Sequence, residues 1–359
     1  MEPITHFMTG AVLSRAGFNR GTPLATVTMT LAAEAADIDI LAYVKGPAYE
    51  FIQHRGVTHT FYAVPLIAGV VLGVVWAMDT LWQRRRRARG RPPAAPRRWG
   101  LLWVFGCIAA VSHLLLDFTN NYGLRPWYPF LRRWHAWDIV FIFDPLIFAV
   151  LLAALTLPRL FSMIDREIGA RQKGPRGRAA AVAALLSIVA IWGVRDVEHR
   201  RAVAAIEATE FPGEHLIRAA AFPYILNPFQ WAGVAETPDA YLSMRVDSLH
   251  SEVDSDRAEK YYKPQPTEAT QAAQNAAFGR AYMEWARFPL VEDEELNPST
   301  PTGGVPGTLL EPRPAHLVRF LDVRFLYPES RRRPLAAFML LDSAMQPVEA
   351  GFESVRARR

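Results

Sequence analysis

Residues 61–78 read FYAVPLIAGVVLGVVWAM, a stretch without a single charge. A helix crosses the hydrocarbon of a bilayer with roughly 17–25 mostly apolar residues, so this segment is long enough to span. Three further runs share its character. Residues 101–116, LLWVFGCIAAVSHLLL, hold no Asp, Glu, Lys or Arg and one histidine, His113, and are followed by Asp117. Residues 139–157 contain Asp144 just before Pro145, and residues 179–194, AAAVAALLSIVAIWGV, carry no charge. The predicted spans are therefore 61–78, 101–117, 139–157 and 179–194.

Composition alone hides this pattern. The chain has 359 residues, 51% hydrophobic and 21% charged, with a formal charge of +5, values that suit a soluble protein on average. The apolar residues are concentrated before residue 195, and the remainder reads as water-soluble. The sequence thus predicts an α-helical polytopic membrane bundle over residues 1–195, with a C-terminal α+β extramembrane domain over 196–359. The aliphatic and aromatic content excludes disorder. A lone cysteine, Cys107, excludes an intrachain disulfide and every cysteine-based zinc motif, so any metal must be held by His and carboxylates.

Arginine sets the orientation. Between the first two spans lie Arg84, Arg85, Arg86, Arg87, Arg89, Arg91, Arg97 and Arg98, and between the last two lie Arg159, Arg166, Arg171, Lys173, Arg176 and Arg178. Short loops rich in Lys and Arg stay in the cytoplasm. Both loops then face inward, and residues 45–60, 118–138 and the C-terminal domain face outward from a bacterial inner membrane. This reading of the arginines leaves no call for nucleic acid as a partner. The N-terminus lacks the basic start and apolar run of a cleavable signal peptide. Instead, residues 5–44 read as a helical hairpin, re-entrant, with GFNRGTP at its tip.

Ionisable groups inside or beside membrane helices carry an insertion cost and are functional candidates. Here they gather on one predicted face. His113 and Asp117, four apart on an apolar helix, project from one side. His54 and His59 flank Gly56 in a loop ahead of a span. Asp37 and Asp39 follow an apolar run, and His6 stands in the first helix; His135, Asp138 and Asp144 complete the set. Imidazole with carboxylate suits zinc, and also iron, manganese or nickel. The number of such groups would suffice for one ion or two.

The ordered motifs PITHFMTG, DID, HRGVTHT and HLLLDFTNNYGLRPWYPF resemble the YdjM-type membrane-bound metal-dependent hydrolases, over residues 1 to about 160. The resemblance implies an integral membrane protein with hydrolase activity and a metal site formed by His6, Asp37, Asp39, His54, His59, His113 and Asp117; by ligand type, zinc is the first expectation for the divalent metal. A more distant similarity to zinc-dependent phospholipase C-like helical proteins would suit the phosphodiester of a lipid headgroup. The expected reaction is hydrolysis of a phospholipid or other membrane ester by metal-activated water, with Asp138 or Asp39 as general acid or base. Arg125, Arg132 and Arg133, on the predicted outer face, would suit an anionic headgroup. A metal or proton transporter would instead need ionisable groups along a path through the bilayer, and a scaffold or sensor would work through the outer domain.

In that domain, residues 269–287 have helical spacing. Residues 316–328 and 334–352 alternate like antiparallel strands of a small sheet, and 297–314 is a Pro- and Gly-rich loop. His199, His215, His250 and His316 are scattered and read as surface or core residues.

Overall fold

The computed structural model describes residues 1–92, 94–167, 177–296, 314–328, 330 and 333–353. Arg171, Lys173 and Arg176 of the second basic stretch, and residues 297–313 of the predicted loop, lie outside the described residues. The chain divides into two compact units. One comprises Met1–Asp39 with Arg55–Asp196, the other Ile40–His54 with Val197–Arg359.

The first unit is helical. Helix α1, Pro3–Ala16, begins where the Glu2 side chain accepts from the Thr5 backbone N–H at 3.0 Å, with Pro at the first turn. Helix α2, Ala25–Glu34, returns against it. Gly10 allows the close approach, because a Cβ there would lie 2.6 Å from the Met29 carbonyl oxygen. Past α2 the chain tightens into a 3-10 segment, Ala35–Lys45, which carries Asp37 and Asp39. Helix α3, Pro47–Gln53, belongs to the second unit.

Among the described residues, four helices are long and apolar enough to cross a membrane: α4, Ala63–Ala88; α5, Trp99–Thr119; α6, Pro145–Glu167, over its Pro145–Ile164 portion; and α7, Gly177–Ala208. Their packing explains why the apolar runs are so long. Helix α5 is sandwiched between α2 and α4, and half of its apolar window is buried, against 17% for α6 and α7. The rest faces outward as bare hydrocarbon, with Leu66, Val70, Leu186 and Val189 each at least 60% exposed. Water would expel such a surface, whereas lipid tails accept it at no cost.

The third span begins at Pro145, not Ile139. The Asp144 carboxylate accepts from the backbone N–H groups of Leu146 and Ile147, each at 3.0 Å, and so caps α6. Residues 137–140 are not helical: the Trp137 and Ile139 N–H groups bond the carbonyls of Phe118 and Thr119 at the end of α5, and Asp138 between them has a positive φ. The other Asp144 oxygen meets the Arg195 guanidinium at 2.8 Å, and both side chains are buried. Helix α7 also runs well past the predicted end at Val194.

The second unit contains two antiparallel sheets. Strands β1 (Arg218–Pro223), β2 (Gln230–Glu236) and β3 (Ala240–Asp247) pair in sequence, and β3 also pairs with β4 (Glu252–Val253) and β5 (Glu259–Tyr262). Helices α8 (Glu268–Asn275) and α9 (Ala277–Trp285) follow. The second sheet runs in order β6 (Pro289–Glu295), β7 (His316–Asp322), β8 (Ala337–Leu341) and β9 (Pro347–Phe352). One small sheet was the sequence expectation; the first, five-stranded one is additional. Phe222 and Trp231 are buried in this unit's own core, leaving Leu226, at 80% exposure, on the loop between β1 and β2.

Candidate metal centre

His59 and His113 come from segments 54 residues apart, and their Nε2 atoms face each other at 3.1 Å. His113 lies on α5, where only two turns separate it from the helix end, and is fully buried. His59 ends a short 3-10 turn, Val57–His59, just before α4. Asp117, one turn beyond His113, places Oδ2 3.4 Å from His113 Nε2 and 3.5 Å from His59 Nε2. Asp37 places Oδ1 3.3 Å and 3.5 Å from the same two atoms. The four ligand atoms all lie within 4.8 Å of one another.

The opposite ring nitrogens decide the chemistry. His113 Nδ1 lies 2.7 Å from the Ala33 carbonyl oxygen, which can only accept, so Nδ1 carries the proton and Nε2 presents a lone pair. His59 Nδ1 lies 3.3 Å from Asp39 Oδ2 and 3.1 Å from Thr58 Oγ1; with the proton of a neutral ring held there by Asp39, His59 Nε2 presents a lone pair as well. Two lone pairs and two carboxylate oxygens then converge with no donor among them. Only a cation makes that arrangement favourable. The competing cation is a proton on His59: burial disfavours it, but the hydrogen bonds to Asp37 and Asp39 outweigh burial and raise the pKa of His59.

Size also fits a metal. Zinc bonds imidazole nitrogen and carboxylate oxygen at about 2.0–2.2 Å, which in a tetrahedron separates neighbouring ligand atoms by roughly 3.3–3.5 Å. The five separations above, 3.1–3.5 Å, match that edge. Both imidazoles have their outer nitrogen fixed by an acceptor, the usual support of a metal-ligating His.

Other predicted residues are distributed around or away from this group. His6 is buried and stacks on His113 with ring centroids 3.8 Å apart; its Nε2 lies 3.4 Å from Asp117 Oδ1, and neither ring nitrogen makes a hydrogen bond. Asp39 stands on the far nitrogen of His59, where it orients the ring. His54 is not in the group. It follows α3 in the second unit, with Nδ1 3.6 Å from Glu50 of that helix. Asp138 is outside the group as well, buried with φ +62°. Asp144 serves α6 and Arg195, as described above.

Arg55, which the sequence did not single out as part of the site, also reaches this group. It is buried, with Nη2 2.8 Å from Asp117 Oδ1 and Nη1 2.5 Å from the Gly123 carbonyl, and its guanidinium lies over the Tyr122 ring. Asn120 builds that turn by accepting the Tyr122 N–H at 2.9 Å. Gly123 has φ +82°, and a Cβ there would lie 2.8 Å from the His135 carbonyl oxygen, so the turn requires glycine twice over.

Among known proteins, an uncharacterised Bacillus subtilis protein, YfhP, is 30% identical over 134 residues, 37% of this chain and 36% of that protein. The chain thus spans about a third of the length of that relative. No solved structure matches. The model of the YdjM inner membrane protein family matches residues 1–202, more than half of the chain, and the chain accordingly belongs to that family.

Proposed function

We propose that this chain is a membrane-bound metal-dependent hydrolase acting on a phospholipid or another membrane ester or phosphodiester. The observation that carries this reading is the facing pair of Nε2 atoms of His59 and His113, 3.1 Å apart and closed by Asp37 and Asp117. Those four residues would hold the metal. Zinc suits the two imidazoles and two carboxylates best. A bound divalent cation would polarise the ester or phosphoryl oxygen and acidify water. Asp39 keeps the His59 lone pair on the metal side. Arg55 holds Asp117 Oδ1, so that Oδ2 remains directed at the imidazoles. One ion is favoured over two, since Arg55 already neutralises the oxygen that His6 and a second ion would share.

The membrane supplies the substrate in this reading. His59 precedes α4 and Asp117 lies in the last turn of α5, while Arg84–Arg98 link the other ends of these two helices. With that link in the cytoplasm, the metal centre belongs to the outer face, together with the C-terminal domain.

The test is hydrolysis of phospholipid vesicles by detergent-purified protein, with and without zinc, beside His113→Ala. Turnover should need metal and vanish in the variant. Purified protein without stoichiometric metal, or activity indifferent to His113, would overturn the reading.

A further inference from the structure

Between the ligands Asp37 and His59 the chain makes an excursion into the other unit. Residues 40–54 belong with the C-terminal unit, while Asp39 and Arg55 on either side belong with the helical one. The excursion is closed at its neck. The Arg55 backbone N–H donates to Asp39 Oδ2 at 2.8 Å. Each neck residue then reaches the metal centre: the same Asp39 oxygen lies 3.3 Å from His59 Nδ1, and Arg55 Nη2 lies 2.8 Å from Asp117 Oδ1.

The far end is held just as firmly. Helix α3 places Phe51, only 5% exposed, within an aromatic set of the C-terminal unit. Its ring centroid lies 5.7 Å from Phe278, 5.9 Å from Tyr282, 5.6 Å from Trp285 and 5.1 Å from Phe352, two of these contacts edge-to-face. Aromatic contacts at such spacing are favourable and directional. The residues at one end of a closed loop therefore fix two ligands, and the residue at its other end is embedded in a separately folded unit.

We infer that the C-terminal unit controls the metal centre through this excursion, and that Phe51 is a positioning residue acting on His59 and Asp117 through Asp39 and Arg55. The inference rests on the metal reading above. It gives the C-terminal unit a role without requiring a catalytic group in it. Phe51 connects through the short stretch 52–54 to the Arg55 guanidinium, and through the Arg55 N–H to the Asp39 carboxylate, the two groups that aim the ligands. Residues supporting metal ligands typically alter affinity 10–100-fold when changed, and the effect of Phe51 should lie at the lower end of that range.

Full-length protein in micelles, titrated with Co²⁺ and followed by visible absorption, tests this. Phe51→Ala should weaken Co²⁺ binding about tenfold and alter the band shape at saturation, with Phe51→Leu intermediate. Phe222→Leu, in a different part of the same unit's core, should leave both readouts unchanged. Near-UV circular dichroism reports the fold. If Phe51→Ala loses its aromatic signal, Phe51→Leu and Phe352→Leu carry the comparison with Phe222→Leu. Wild-type affinity and band shape in the folded Phe51 variants would overturn the inference, as would equal weakening by Phe222→Leu. Wild-type protein that takes up no Co²⁺ would instead bring down the metal reading itself.

Discussion

Asp39 Oδ2 lies 3.3 Å from His59 Nδ1, the ring nitrogen opposite the one that meets His113. A carboxylate at that position fixes the tautomer and raises the basicity of the ligating nitrogen. Asp39→Ala should weaken zinc binding by about 10–100-fold, and Asp39→Asn by less, measured by competition with a chromophoric chelator.

His59 and His113 contribute a lone pair each, whereas His54 sits beside Glu50 of α3. Purified His59→Ala and His113→Ala should therefore lack stoichiometric metal, and His54→Ala should retain it. Elemental analysis of the three proteins beside wild type decides the point.

Arg55 and Asp117 form a buried ion pair at 2.8 Å. Removing one partner of a buried pair typically costs about 3–5 kcal/mol, and here the cost is reduced because the Met1 ammonium also meets Asp117 Oδ1. Arg55→Ala should lower the thermal midpoint in micelles far more than a surface arginine variant such as Arg85→Ala. Arg55→Lys should recover only part, because a single ammonium cannot replace a fork that contacts both Asp117 and the Gly123 carbonyl.

Gly10 packs directly against α2, with no room for a Cβ beside the Met29 carbonyl. Gly10→Val would put a branched side chain against the Met29 carbonyl, at a cost of about 1–3 kcal/mol from forced displacement. A lowered thermal midpoint together with weakened metal binding is expected, since α2 leads directly into the segment bearing Asp37.

Protons and metal compete for the same lone pairs. Asp37 and Asp39 raise the pKa of His59 above its ordinary 6.5, so the protonated form persists to higher pH than in a free imidazole. Metal affinity should fall on acidification, starting above pH 6.5, and recover on return to neutrality. Affinity measured by titration across pH 5.5–8 checks this.

Much of this was legible in the chain. Apolar length gave the four membrane helices, because a bilayer demands that length whatever the tertiary packing. The i, i+4 spacing of His113 and Asp117 on a helix brought them to one side, and they are found there. His54 and His59 were not separable by spacing, since nothing local reveals that residues 40–54 fold with a distant unit. Arg55 was hidden for a similar reason: its partner lies 62 positions away. The first β-sheet escaped notice because its strands, RAAAFP and QWAGVAE, are rich in alanine, which favours strands only weakly.

The buried Asp144–Arg195 contact bears on biogenesis. During synthesis α6 emerges with its acidic cap before α7 exists, and the counter-charge arrives only when about fifty further residues have been made. A ribosome-stalled chain ending ahead of Arg195 would hold an unmatched carboxylate against lipid. The two helices are thus best inserted as a pair, and partial products should be preferred substrates for membrane quality-control proteases.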